Sequence, residues 1–210
     1  MKEPVAGTLV YIMGPSGSGK DSLIEYARRS VNRTYAQTWN AAVNTRQGLR
    51  PVFFARRYIT RPAGTGGERH YSLTREAFQL RKSRGEFSLS WESHGLCYGI
   101  GDDIDACLTA GAVVVVNGSR EYLPEALKLY PELVPVLISA RPEVLRERLE
   151  KRGREKQTDI DERLAGAGMK LPEISGFVRV DNSGSLAEAG RFFLGLFHRL
   201  RYMPAIETKK

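Results

Sequence analysis

Thr8-Leu9-Val10-Tyr11-Ile12-Met13 runs straight into Gly14-Pro15-Ser16-Gly17-Ser18-Gly19-Lys20 and then Asp21-Ser22. The first six residues are β-branched or apolar and stop at a glycine, which predicts a short buried strand. Gly14, Gly17 and Gly19 let the backbone turn its N–H groups inward around one small anion, and a helix starting near Gly19 adds its N-terminal dipole. Lys20 supplies a mobile positive charge able to reach the outer phosphates of a triphosphate. Strand, glycine-rich turn ending in Gly-Lys, then helix is the context a P-loop requires. The segment Gly14 to Ser22 is therefore expected to bind ATP.

The residue after the lysine is unusual. A Ser or Thr hydroxyl normally stands there and serves Mg²⁺; here it is Asp21, followed by Ser22. A carboxylate beside a phosphate is repelled unless a cation lies between them. One reading makes Asp21 the Mg²⁺ ligand, directly or through water. The other makes it a favourable first-turn residue, with Ser22 serving the metal. A second departure lies at Ala112 to Val116, a strongly apolar predicted strand that ends in Asn117-Gly118-Ser119-Arg120. An acidic residue often closes such a strand and assists the metal. The pair suggests that the carboxylate has moved from the third strand to the P-loop.

Outward from the loop, strands are expected at Val52 to Thr60, Leu133 to Ser139 and Phe177 to Val180, with helices at Glu121 to Tyr130, Pro142 to Arg152 and Leu186 to Tyr202. In the first helix, Asp21 and Glu25 fall in the early turns, with Arg28 and Arg29 read near its end. Apolar strands alternating with helices argue for an α/β, three-layer P-loop NTPase fold around a five-stranded parallel sheet. Between Arg61 and Gly101 the pattern turns to glycines, aromatics and short alternating runs such as Glu86-Phe87-Ser88-Leu89-Ser90-Trp91. The organisation expected is a single domain over 1–210: a core of 1–60 and 101–210, an inserted substrate lobe at about 61–100, and an arginine-rich lid at about 146–160. Arg33 to Pro51 has no clear periodicity, and the last four residues look like a frayed tail.

The chain has 210 residues, 41% hydrophobic and 27% charged, with a net charge of +8. That is an ordinary soluble composition with a full core. No apolar run approaches the roughly 20 residues of a membrane helix, and the first residues carry no secretory pattern. Cys97 and Cys107 have neither disulfide-framework nor metal spacing, so a cytoplasmic protein with no membrane partner is expected. The positive charge fits nucleic acid or ligands rich in phosphate. No aromatic-rich RNA-binding signature or zinc module accompanies the arginines, which weighs against nucleic acid. The sequence leaves the oligomeric state open, a homodimer included.

With these residues in view, the chain resembles the guanylate-kinase-like branch of P-loop kinases. The features come in a similar order: the P-loop, Arg57-Tyr58-Ile59-Thr60-Arg61-Pro62, Gly66-Gly67-Glu68-Arg69-His70-Tyr71, Trp91, His94-Gly95, Tyr98-Gly99, Arg146 to Arg154 and Asp181-Asn182. Guanylate kinases read guanine with carboxylates, but this chain has Ser90 and Asn117 at the corresponding places, and Ala63 and Gly64 where a second phosphate-binding arginine would stand. Within the branch, GPSGSGKDSL, RYITRP, VVNGSR and RLEKRGRE are similar to the ribose 1,5-bisphosphate phosphokinases. The resemblance implies transfer of the ATP γ-phosphoryl group to ribose 1,5-bisphosphate, giving 5-phosphoribosyl 1-diphosphate and ADP, within phosphonate degradation.

A small substrate with two phosphates and no base needs arginines more than carboxylates, because arginine's fork suits phosphate oxygens. Arg57 and Arg61 are expected to grip substrate phosphate, with Tyr71 and Tyr98 as hydroxyl donors and Asn117 beside them; His94 is a weaker candidate. The attacking oxygen is already ionised, so Lys20, Asp21 with Mg²⁺, and the lid residues Arg148 and Arg152 form the expected catalytic set. Arg148 and Arg152 could equally form a solvated basic helix face paired with Glu147 and Glu150. Asn182 is expected near the adenine. The alternatives are a guanylate kinase, a non-enzymatic guanylate-kinase-like binding module and, on charge alone, a nucleic-acid binder.

Overall fold

The computed structural model describes residues 7–37, 49–62, 69–152 and 177–202. Five parallel strands form the main sheet: β1 (Thr8–Met13), β2 (Val52–Phe54), β7 (Val113–Asn117), β8 (Val134–Ser139) and β9 (Val178–Asp181), in the order β2-β7-β1-β8-β9. The chain leaves β1 for one side of the sheet and later returns to the other. That makes the carboxyl end of β1 a topological switch point, where α/β sheets bind ligands.

The side-chain alternation of β1 explains the layers. Leu9, Tyr11 and Met13 face one core with Val114, Val116 and Leu137, while Val10 and Ile12 face another with Val115, Val136 and Ile138. Such two-sided burial is what a parallel sheet demands. The second face is covered by α1 (Lys20–Gln37), through Leu23 and Ala27, and by α6 (Leu186–Tyr202), through Phe193, Leu196, Phe197 and Leu200. The first is covered by α3 (Asp103–Thr109) and α4 (Leu123–Leu129), with Ile104, Leu108, Leu123 and Ala126 buried. The remaining helices are α2 (Arg75–Ser83) and α5 (Pro142–Arg152).

The strand expected over 52–60 is two strands in two sheets. Pro51 and β2 pair with β7, and the chain then bends at Ala55-Arg56 so that β3 (Arg57–Ile59) enters a second sheet with β4 (Tyr71–Ser72), β5 (Phe87–Ser93) and β6 (Leu96–Gly101), ordered β4-β3-β6-β5. The whole run is β-forming, so composition alone cannot mark the bend. His94 and Gly95 close the β5–β6 hairpin with φ values of 48° and 72°, the positive pair a two-residue hairpin turn needs. His94 is thus an exposed turn residue. Trp91 is 8% exposed and stacks between Tyr98 and Tyr122, at 5.5 and 5.4 Å; it joins the lobe sheet to the core. Helix α1 runs past Arg28 and Arg29 to Gln37, so these arginines lie mid-helix rather than near its end.

Candidate active site

The parallel register brings the functional segments to one edge of the sheet. Ile12 pairs with Asn117, Met13 with Leu137, and Ser139 with Asp181. The P-loop, Asn117 and Asn182 therefore leave adjacent strands at the same end. Gly14 and Gly19 are required by packing: a Cβ on Gly14 would collide with the Ile138 carbonyl, and one on Gly19 with the Asn182 amide. Gly19 also has φ of 84°, which L side chains rarely adopt. Lys20 curls over the loop, its Nζ donating to the Gly14 and Pro15 carbonyls at 2.7 and 3.0 Å. As at any helix start, the first N–H groups of α1 lack intrahelical partners.

Asn182 braces this loop. Its Nδ2 donates to the Ser18 carbonyl at 2.8 Å, its backbone N–H donates to Ser139, and its carbonyl accepts from Arg148 Nη2 at 2.8 Å. Gly17, Gly19, Ser22, Arg148, Lys151 and Asn182 line a cavity of about 290 Å³ on this side. Asn182 is 2% exposed, so it acts here as a structural clamp on the loop. Ser18 Oγ, Asn182 Oδ1 and Arg148 Nη1 are buried without a hydrogen-bond partner among the described residues. Buried polar atoms are rarely left so, and these three ring the phosphate cradle.

On the other side, Asn117 Nδ2 donates to Asp21 Oδ1 at 2.7 Å. Only an amide's NH₂ end can face a carboxylate, so the orientation is fixed by chemistry. It leaves Asn117 Oδ1 buried and without a partner among the described residues. Asp21 and Asn117 thus set hard oxygens beside the cradle, the donor type Mg²⁺ takes. Behind Asn117, the buried Tyr11 hydroxyl accepts from the Ser119 N–H and donates to the Ser119 carbonyl, both at 2.9 Å. Burial raises the Tyr11 pKa well above the usual tyrosine range, so the phenol stays neutral and able to donate.

Asp21 and Asn117 also form one end of a larger cavity of about 460 Å³. Its walls include Arg28, Arg29, Arg56, Arg69, Tyr58, Tyr71 and Asp103. Desolvation raises the Asp103 carboxyl above its ordinary value, with Asp102 adding to the effect. Of the expected substrate residues, Tyr71 and Asn117 line this cavity. Arg57 instead lies over the Tyr98 ring, 5.2 Å from its centroid, and Tyr98 stacks on Trp91. Arg61 contacts His70, with Nη2 3.5 Å from Nδ1; none of Arg57, Arg61 and Tyr98 is among the residues lining the cavity. In the sequence Arg69 stood out only as part of the Gly66–Tyr71 motif, and Arg28, Arg29, Arg56 and Asp103 carried no site signal beyond their charge. Arg152 ends α5, and residues 153–160 of the expected lid lie outside the described residues.

No protein-family model matches the chain. A ribose 1,5-bisphosphate phosphokinase PhnN from Desulfomicrobium baculatum is 54% identical over 188 residues, spanning 90% of this chain and 92% of that protein. The protein of the same name from Burkholderia mallei is 46% identical over 196 residues, covering 93% and 97%. That from Enterobacter lignolyticus is 42% identical over 193 residues, covering 91% and 92%.

This chain belongs to the ribose 1,5-bisphosphate phosphokinase family.

Among solved structures, a guanylate kinase from Anaplasma phagocytophilum superposes with a TM-score of 0.63 at 15% identity, covering 97% of this chain and 90% of that one. The protein therefore has the guanylate-kinase fold. Among the described residues no helix is long and apolar enough to cross a membrane, and no group of three or more His, Cys, Asp or Glu is placed to hold a metal by itself.

Proposed function

We propose that the protein transfers the γ-phosphoryl group of ATP to the 1-phosphate of ribose 1,5-bisphosphate, forming 5-phosphoribosyl 1-diphosphate and ADP. Family membership supports the reaction. The structural observation that supports it is the arginine-rich cavity that Asp21, the residue after the P-loop lysine, lines together with Asn117. An oxygen of the 1-phosphate attacks the γ-phosphorus, and the bond from γ-phosphorus to the β–γ bridging oxygen breaks as ADP leaves. The nucleophile is already anionic, so no residue need remove a proton; orientation and charge neutralisation lower the barrier.

In this reading the backbone of Gly14 to Gly19 cradles the β-phosphate, and Lys20 swings from the Gly14 carbonyl to the outer phosphates. Asn182 and Ser18 keep the loop in shape. Arg148, tethered by one nitrogen to Asn182, presents the other to the transferred group, and Arg152 follows it on the lid. Mg²⁺ supplies further neutralisation when bound; Asp21, held by Asn117, would ligate it directly or through water. Arg57 and Arg61 orient the lobe against the acceptor, with Tyr71 on the cavity wall and Tyr98 beneath Arg57. Such a reaction places the protein in the cytoplasm, where ATP is present.

Incubation with ATP, Mg²⁺ and ribose 1,5-bisphosphate should produce ADP and a diphosphate on the anomeric carbon, seen as two coupled ³¹P resonances. ATP that persists unchanged beside the sugar would sink the proposal.

A further inference from the structure

The larger cavity has a second charged end that the transfer itself does not use. Asp21, Ile24, Glu25, Arg28 and Arg29 all line it from α1. Their spacing is i, i+3, i+4, i+7 and i+8, a single helix face. At 1.5 Å per residue, Arg28 stands roughly 10 Å along the axis from Asp21. Cations that far off are weakly felt at the transferred phosphoryl group through solvent and salt.

These arginines are arranged rather than scattered. Glu25 accepts from Arg28 at 2.7–2.9 Å and from Arg29 at 2.7 Å, which orients two guanidiniums on one carboxylate and leaves net positive charge. Arg56 reaches the same cavity from the bend after β2, its guanidinium 4.5 Å from the Tyr71 ring centroid. Among the described residues, neither Arg56 nor Arg69 is paired with a carboxylate. An acceptor with one phosphate, seated beside Asp21 and Asn117, leaves this basic end without a function. A sugar with phosphates on opposite sides of the ring fills both ends.

We infer that Arg28 and Arg56, assisted by Arg29 and Arg69, form a second anion subsite for the substrate phosphate that is not phosphorylated. The inference rests on the reading of the acceptor as a bisphosphorylated pentose and names the residues that select it. The 5-phosphate anchors against the guanidiniums and sets the distance of the 1-phosphate from the P-loop, with α1 as the spacer.

Arg28→Gln and Arg56→Gln, made separately, test it. The Arg28 ion pair is partly exposed, and such pairs contribute little to stability, so folding should survive. Two quantities are measured: the inhibition constant of ribose 5-phosphate against the acceptor, and the ratio of kcat/KM for ribose 1,5-bisphosphate over ribose 1-phosphate. Loss of one charge-assisted contact should raise the inhibition constant about tenfold or more and lower the ratio by a similar factor, with KM for ATP little changed. Retained turnover of ribose 1,5-bisphosphate with both quantities unmoved in both variants overturns this inference alone. A wild-type enzyme idle on ribose 1,5-bisphosphate overturns the substrate reading and this inference with it.

Discussion

Asn117 Nδ2 and Asp21 Oδ1 lie 2.7 Å apart, joining the end of β7 to the first turn of α1 across 96 residues of sequence. The neutral residue at the strand end and the acidic residue on the P-loop are one unit. The amide holds the carboxylate beside the cradle and points its own oxygen into the same buried space. Asp21→Ser should therefore raise the Mg²⁺ concentration for half-maximal activity by about tenfold or more, and Asn117→Ala should do so more weakly. Because the residues act together, the double variant should be little worse than Asp21→Ser alone. Metal titrations of the three variants check this, and an unchanged Mg²⁺ dependence in Asp21→Ser would remove Asp21 from the metal site.

Gly19→Ala adds a methyl where the Asn182 amide already stands, at a backbone φ of 84°. The strain is about 1–2 kcal/mol before any clash. Relief requires the loop or Asn182 to move, and either displaces the Ser18 contact. Nucleotide affinity measured by calorimetry should fall at least about tenfold, while the far-ultraviolet circular dichroism keeps its wild-type shape. Tight ATP binding by this variant would show that the observed loop geometry is not the binding geometry.

Arg148 donates through Nη2 to Asn182, while Nη1 is buried beside the P-loop without a partner among the described residues. Its removal should lower kcat by about a hundredfold, the effect of losing one preorganised donor at a transition state. Lysine cannot both hold Asn182 and reach the phosphoryl group, so Arg148→Lys should recover little of the loss. Steady-state kinetics on Arg148→Gln and Arg148→Lys read both effects. Full recovery by lysine would reduce the role of Arg148 to charge alone.

Tyr11 and Tyr130 have pKa values raised above the ordinary tyrosine value of about 10, in both cases first by burial; Tyr130 also donates to Asp105 at 2.6 Å. The unfolded chain loses these protons near pH 10 while the folded protein keeps them, so the stabilisation present below pH 10 declines above it. Chemical denaturation at rising pH should show stability falling from about pH 10 upward. Tyr11→Phe and Tyr130→Phe should each flatten that fall. Early tyrosinate absorbance from these two residues in the still-folded protein would contradict the burial argument.

Much of the core was legible because parallel strands buried on two faces leave continuous apolar runs. Val113 to Val116 and Thr8 to Met13 could be little else, and the glycine spacing placed the P-loop between strand and helix. The Asp21–Asn117 link was readable as two departures that compensated each other. The larger cavity was less legible. Arg28 and Arg29 sit on a helix whose charges read equally well as a solvated face, and only the third dimension turns that face toward Arg56 and Tyr71. Arg57 carried the motif signal, yet the bend at Ala55-Arg56 turns it onto Tyr98 instead, because neighbouring strand residues point to opposite sides. His94-Gly95 stood out by motif position, and the hairpin turn accounts for both residues.

The most direct test of the account is the turnover of ATP with ribose 1,5-bisphosphate and with GMP, each offered alone and then in competition at equal concentration. Ribose 1,5-bisphosphate should have the higher kcat/KM by about a hundredfold or more, and GMP should barely slow its conversion. Faster phosphorylation of GMP would contradict it.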